Sequence, residues 1–348
     1  MTKIRWEVTS DGFGIHTFEL TKPSITREEY ERILQKNKSR KYYPYYTGGI
    51  GIKTFNNGIR LFLNHTSDNF YNIKVIVSSK KLIDEESSPI SIMQYNDSFE
   101  ILNELVDAVL NECLGEGYNM ESFSLSRIDL CVNIMLSNTF SAERYVKLIR
   151  KSMVYDDNAK IIVFPDSIDR NKHSFRIEIG DYTFTAYDKY FQLEDIGECY
   201  DKESDALLRL EIAVHRRVIH LKQMESEMNN LQTLRFLTKR SKAVFREYIK
   251  HHFFKGDYYT VNFMRCAVES SNYSKSQKEK MLSYIDMQQH KYSFHSVINN
   301  MLKDYWTVYR MNKLFSRFQK IDVYPISMAH RDGHGDRSVP GLWKLLGI

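Results

Sequence analysis

The sequence predicts an α+β fold: an antiparallel sheet with helices on one face over residues 1–217, an all-α region over 218–330, and a flexible tail over 331–348. Three observations predict it. Residues 126–132 and 208–215 alternate as strands do, with Ile128, Leu130 and Val132 on one face of the first and Leu208, Leu210, Ile212 and Val214 on one face of the second. The segments of this half come in the order strand, helix, strand, helix, strands, which suits an antiparallel sheet covered by helices. From about residue 221 the apolar residues change to three- and four-residue spacing, the helical period.

Taken in order, residues 15–20 alternate as a strand, and Thr26 followed by Glu29 makes a capping box that opens a helix over about 27–35. Residues 51–55 and 58–63 flank Asn56-Asn57-Gly58, a hairpin signal, and 71–77 reads as a further strand. An amphipathic helix over about 98–114 follows, with Ile101, Leu102, Leu105, Val106, Val109 and Leu110 at helical spacing. After the strand carrying Asp129 come a helix over about 142–152, a strand at 161–164, and a hairpin of 174–179 with 182–189 joined by Gly180-Asp181. The strand bearing Glu211 closes the first region. Beyond it, 231–254, 258–268, 276–288 and 294–318 each read as helix, with polar breaks at 255–257 and 270–272. No internal repeat is visible in the sequence.

At 348 residues and 42% apolar content the chain is that of a globular protein. No run approaches the roughly 18 apolar residues of a membrane span, and residues 1–11 lack the apolar core of a signal peptide, so a cytoplasmic protein with no membrane partner is expected. Cys113, Cys131, Cys199 and Cys266 are far apart, which argues against a disulfide framework or a structural zinc site. Residues 1–217 carry a net −5 and residues 218–348 a net +10. A basic region rich in tyrosine and phenylalanine suits a polyanion such as DNA, because Lys and Arg displace condensed counterions and aromatic faces stack on bases. A solvated helical surface has the same composition.

Strand alternation places Arg127 and Asp129 on one face, Tyr187 and Lys189 on one face, and Arg209, Glu211 and His215 on one face. Should these faces coincide, Asp129, Glu211 and His215 are candidate ligands for Mg²⁺ or Mn²⁺, which prefer carboxylate, imidazole and water and leave positions open for a phosphate. Tyr187 is then placed to attack phosphorus, Lys189 to lower its pKa or hold the phosphate, and Arg127 and Arg209 to clamp the anion, with Arg216 and Arg217 just beyond as DNA contacts. The same residues also fit cross-strand ion pairs, Asp129 with Arg209 or Glu211 with Arg127. A second cluster, His330, Asp332, His334 and Asp336, has glycine spacing like a ligand loop, though a flexible polar tail explains it as well.

Arg-Ile-Asp-Leu at 127–130, Ala-Tyr-Asp-Lys at 186–189 and Arg-Leu-Glu at 209–211 resemble, in that order, the motifs of rolling-circle replication initiators, especially the replication initiation factors of small Gram-positive plasmids and the gene-two proteins of filamentous phages. Residues 318–326 resemble the end of the helical region in the phage-type proteins, so the similarity covers roughly residues 120–330. It implies a HUH-nuclease-like domain and a metal-dependent nickase that cuts one strand of single-stranded or cruciform origin DNA, stays joined to its 5′ end through tyrosine, and works with a host helicase. By that resemblance Asp129 and Glu211 fall among the metal-site acids and Tyr187 in the tyrosine motif. The histidine-hydrophobe-histidine motif of the wider superfamily is absent, since His251 and His252 are adjacent, and Asn133 stands where a second acid would share a face with Asp129. Tyr190, Tyr200, Tyr248 and Tyr273 also lie near basic residues as alternative nucleophiles. A transfer relaxase shares the chemistry, and a non-enzymatic DNA-binding regulator or partition factor is the reading in which the strand charges are only ion pairs.

Overall fold

The computed structural model describes residues 6–40, 42–44, 49–54, 58–65, 70–136, 141–153, 158–162, 168–198, 206–289, 301, 306–323, 326–328 and 338–348. Ten strands form one antiparallel sheet: β1 (Trp6–Ile25), β2 (Tyr42–Pro44), β3 (Ile50–Ile52), β4 (Ile59–His65), β5 (Tyr71–Ser78), β6 (Ser124–Leu136), β7 (Lys160–Ile162), β8 (Ser174–Ile179), β9 (Tyr182–Asp188) and β10 (Ala206–His215). They lie side by side in the order β2-β3-β4-β5-β1-β6-β10-β9-β8-β7. The helices of this region are α1 (Arg27–Lys36), α2 (Ser79–Ile83), α3 (Phe99–Leu114), α4 (Ala142–Lys151), α5 (Ile168–His173) and α6 (Lys189–Asp195). Thr26 caps α1 by accepting from the Glu29 amide at 3.1 Å, the forward bond of the expected capping box, and Ser98 caps α3 by accepting from the Ile101 amide at 3.3 Å.

The sheet repeats one connectivity twice, which the sequence does not reveal. In each half a long strand (β1, β6) leads to a helix (α1, α4), and a four-strand meander returns so that its last strand (β5, β10) pairs with the first. β1 and β6 pair antiparallel at the centre and join the halves. The two halves share topology without a shared residue pattern.

One sheet face is apolar and carries the main core, in which Ile128, Leu130, Val132, Leu210, Ile212 and Val214 pack with residues from α1, α3 and α4. The expectation of helices on one face holds for these and fails for α6. Tyr190 and Leu193 of α6 sit on the opposite face, buried with Ile90 and Leu207 in a separate small cluster.

Beyond β10 the chain continues as α7 (Arg216–Ser226), α8 (Asn230–Lys239), α9 (Ser241–His252), β11 (Tyr258–Thr260), α10 (Val261–Ser270), α11 (Lys275–Gln289), α12 (Val308–Lys320), β12 (Ser327–Met328), β13 (Ser338–Val339) and α13 (Leu342–Leu346). Three expectations are corrected here. The region is not all-α, because β11 pairs with β12 and β13 in a second small sheet, Tyr258-Tyr259-Thr260 being a β-favouring run whose apolar spacing resembles the helix after it. The helix expected over 231–254 is two helices broken at Arg240, where the Thr238 hydroxyl bonds the Leu234 carbonyl and the Ser241 hydroxyl bonds the Thr238 carbonyl. Residues 338–348 are not a flexible tail, since Leu342, Leu345 and Leu346 are buried in the main core. Gly341 allows this docking, because a Cβ there would lie 1.7 Å from the Gly256 carbonyl oxygen.

The boundary at 217/218 does not separate two cores either. Leu234 and Leu237 of α8 and Phe245, Tyr248 and Ile249 of α9 belong to the main core, while residues between 261 and 323 build a second one around Met264, Tyr284, Phe315 and Phe318. No helix among the described residues is long and apolar enough to cross a membrane.

Leu345 is 1% exposed. Leu345→Ala should therefore lower the unfolding free energy by about 2–5 kcal/mol, as core truncations do, whereas a surface tail would give less than about 0.5 kcal/mol; urea denaturation of the full chain reads the difference.

Candidate functional site

The register of β10 assembles the polar face. Arg209 stands opposite Asn133 of β6 and Tyr187 of β9, Glu211 opposite Cys131 and Thr185, Ala213 opposite Asp129 and Thr183, and His215 opposite Arg127. Directly opposed residues share a face, so Asp129, Glu211 and Tyr187 lie on one side, with Asp129 and Glu211 diagonal neighbours about 7–8 Å apart at the backbone. The Tyr187 hydroxyl donates to Glu211 Oε1 at 2.7 Å.

Two residues that alternation alone would separate reach this face through a bulge in β1. Ile15 opposes Leu130 and Thr17 opposes Asp129, leaving His16 as the extra residue. His16 and Thr17 both turn toward the polar side while Ile15 and Phe18 stay in the core. Thr17 donates to Asp129 Oδ2 at 2.5 Å, and His16 Nδ1 lies 3.6 Å from Glu211 Oε1. Close approach of β1 to the bridge at Met93 holds the segment, and it requires Gly14, where a Cβ would stand 2.2 Å from the Met93 carbonyl oxygen.

Burial raises the Glu211 carboxyl above the usual carboxylate range, with the Asp129 charge adding to it against the pull of Arg209. Burial also pushes the Tyr187 phenol well above its ordinary value, and Glu211 pushes it further. The His16 imidazole is held well below its usual pKa by burial and then by Arg209, Lys189 and Arg60, so it is neutral at pH 7. A neutral imidazole beside a carboxylate is a ligand pair that a hard divalent cation accepts, with Asp129 as the neighbouring acid. Among the described residues no three His, Cys, Asp or Glu side chains already stand together as a ligand cluster.

Arg127, Tyr187 and Glu211 line a cavity of about 350 Å³. Arg170, Arg176 and His173 line it too, and none of the three was singled out from the sequence. His173 Nδ1 lies 3.4 Å from Asp188 Oδ2, and its ring stacks on Phe191 with centroids 3.9 Å apart.

The remaining expected residues divide. Arg127 stays at the site, its Nε on Asp129 Oδ1 at 2.6 Å, so Asp129 pairs along its own strand and not with Arg209. Arg209 is not a phosphate clamp: it is fully buried, donating from Nε to Asn133 Oδ1 at 2.7 Å and from Nη2 to the Ile90 carbonyl. Asn133 thus orients a buried guanidinium and does not stand in for an acid. His215 does not join the acids; its Nε2 meets Thr183 Oγ1 at 2.8 Å, and burial together with Arg127 lowers its pKa. Lys189 is not a strand residue. The strand ends at Asp188, whose carboxylate caps α6, and Lys189 opens that helix with Nζ on Gln192 Oε1 at 2.8 Å.

Arg216 and Arg217 are exposed at the start of α7, Arg217 Nε bonding Asp181 Oδ2 at 2.6 Å. Of the other tyrosines, Tyr190 and Tyr248 are buried in apolar clusters and Tyr273 bonds the Arg317 carbonyl. Tyr200 and the histidine–aspartate cluster at residues 330–336 lie outside the described residues.

No family model and no curated protein matches the sequence. Among solved structures the chain is similar to the di-domain ARO/CYC StfQ of the steffimycin biosynthetic pathway, at 8% identity and a TM-score of 0.23, with 66% of this chain and 94% of that one covered. A likeness that low carries no argument about function.

Lys189 is 3% exposed, and burial with the Arg209 charge lowers its pKa from 10.5 to about 7. Between pH 7 and 10.5 the unfolded chain therefore binds the extra proton and the folded chain does not, so this group makes stability rise with pH. Lys189→Met should flatten the stability profile across that window by up to about 1.4 kcal/mol per pH unit relative to the parent, read by urea denaturation at a series of pH values.

Proposed function

We propose that this chain is a metal-dependent DNA nickase that joins itself to a cleaved strand through Tyr187, and that it acts as a rolling-circle replication initiator. The observation that supports this reading most is the Tyr187 hydroxyl resting on the Glu211 carboxylate inside an arginine-lined cavity. A phenol whose pKa is raised by burial does not attack as a free phenolate, so it needs a proton acceptor in contact. Glu211 is that acceptor, and the same burial that raises the Glu211 pKa makes it a better base.

In the proposed step Tyr187 Oη bonds to phosphorus as the P–O3′ bond breaks. The phenolic proton passes to Glu211, and the 3′-oxygen leaves to take a proton from water. The products are a 5′-phosphotyrosine and a free 3′-hydroxyl. Arg127, Arg170 and Arg176 hold the non-bridging oxygens and offset the charge that builds on them. Arg209 stands behind Tyr187 and Glu211 as a fixed buried cation that favours their ionised forms. Mg²⁺ or Mn²⁺ held by Asp129 and Glu211 with His16 beside them would supply further charge neutralisation. The HUH-nuclease-like arrangement, origin DNA as substrate and a host helicase as partner belong to this reading through the motif resemblance.

The competing reading, a DNA-binding regulator without catalysis, is favoured by the Asp129–Arg127 pair, which already satisfies one of the acids. Incubation with Mn²⁺ and a supercoiled plasmid carrying the DNA that flanks the coding sequence separates the two. The nickase should yield open circles with covalently bound protein. Tyr187→Phe should abolish the attachment, and Glu211→Gln should slow it by about 10²–10⁴-fold. Nicking and attachment that persist in Tyr187→Phe would refute the tyrosine assignment, and metal-independent binding with no nicking would favour the regulator.

A further inference from the structure

The polar sheet face holds a second, larger cavity, about 670 Å³, on the first half of the sheet. Its cations are Arg60 of β4 and Lys80 and Lys81 of α2, set among hydroxyls that include Ser78 and Ser88, with the buried Lys189 amine at its edge. The acids there are Glu85 and Glu198. Lys81 meets Glu198 at 3.4 Å with both side chains more than a third exposed, a solvent-screened pair that a phosphate displaces at little cost, and Lys80 meets Asp97 at 3.2 Å in a more sheltered pair. Arg60 is exposed and forms no ion pair among the described residues.

This cavity adjoins the reaction cavity across α6. Gln192 and Ile196 line both, and His16, at the edge of the larger one, lies 3.6 Å from Glu211 at the edge of the smaller. Ile196, on the ridge between them, is 56% exposed, an apolar surface with cationic cavities on either side. From Arg176 on β8 to Arg60 on β4 the face spans six inter-strand spacings, about 29 Å. Two basic cavities side by side over that span, separated by α6 and bordered by apolar and aromatic side chains such as Ile196 and Phe191, fit a strand with a charged backbone and flat bases better than they fit a single small anion.

We propose that the Arg60–Lys81 cavity is the binding lobe for the backbone of one DNA strand whose adjoining phosphodiester lies at Tyr187. The inference rests on the nickase reading for its substrate and assigns the two halves of the sheet different parts of that substrate.

Fluorescence anisotropy with the full chain and fluorescein-labelled single-stranded DNA of 4 and 12 nucleotides, in EDTA, tests it. The parent should bind the 12-mer at least tenfold more tightly than the 4-mer. Arg60→Ala/Lys81→Ala should weaken 12-mer binding at least tenfold and make the salt slope shallower by about 1.4, the value for two lost single-strand phosphate contacts. Arg60→Glu, a single change at an exposed position, should weaken it as well, with the urea midpoint of each variant matching the parent. Unchanged 12-mer binding in these variants, with Tyr187 attachment intact in the parent, would overturn the lobe and leave the nickase standing. Equal affinity for the two lengths would overturn it in favour of a single-nucleotide site. Loss of binding in the variants from a parent that never forms the adduct would uphold the lobe and reject the nickase.

Discussion

Everything at the site follows from the pairing of the strand Ala206–His215 between its two neighbours, because that register decides which side chains share a surface. Side chains alternate with a period of two, so a slip of one residue would send Glu211 into the apolar core and bring Leu210 or Ile212 up among the polar groups. Burial of Leu208, Leu210, Ile212 and Val214 at 1% exposure or less makes that slip costly. The apolar face therefore holds the polar face in place.

Arg209 shows the energetic side of this arrangement. A guanidinium at 0% exposure is expensive to bury without partners, and its partners here are an amide side chain, a backbone carbonyl and the field of Glu211 and Tyr187. In return it lowers the cost of holding two acids, Asp129 and Glu211, on adjacent strands. Each acid has its own neutralising neighbours: Arg127 and Thr17 for Asp129, and Arg209 with the Tyr187 hydroxyl for Glu211. Of these Arg127 and Tyr187 line the cavity, and Arg127 is the cation among them that an anion entering it would meet.

Period-two alternation in Arg127–Asp129 and Arg209–Glu211 was legible because both segments are regular strands, and their common face follows once they are neighbours. Lys189 was misplaced because alternation carries no sign of where a strand stops; the Asp188 cap that ends it reads equally well as a strand residue. His16 was invisible for a related reason, since a bulge breaks the pattern by which a face is assigned, and its only signal was the Gly12 and Gly14 pair just before it. The duplicated connectivity left no trace at all, because topology is set by pairing partners and each half met its packing needs with different residues. Arg170, Arg176 and His173 enter the site from the edge of the sheet, where the contribution of a short helix and a hairpin depends on tertiary placement.

That divergence between halves bears on how such a surface can work. Strands β9 and β10 bring Tyr187 and Glu211 to the polar face, whereas their topological counterparts β4 and β5 bring Arg60, exposed, and Lys74, which pairs with Glu19 of β1 at 2.9 Å. A polyanion lying across this face would meet Arg60, Lys80 and Lys81 over the first half and a mixed field of acids and arginines over the second. Repulsion from Asp129 and Glu211 would by itself drive a phosphodiester away from Tyr187. In the nickase reading, Arg60, Lys80 and Lys81 in the neighbouring cavity would offset that repulsion without placing another fixed positive charge in contact with Glu211, so that binding and proton acceptance would fall to different parts of one sheet face.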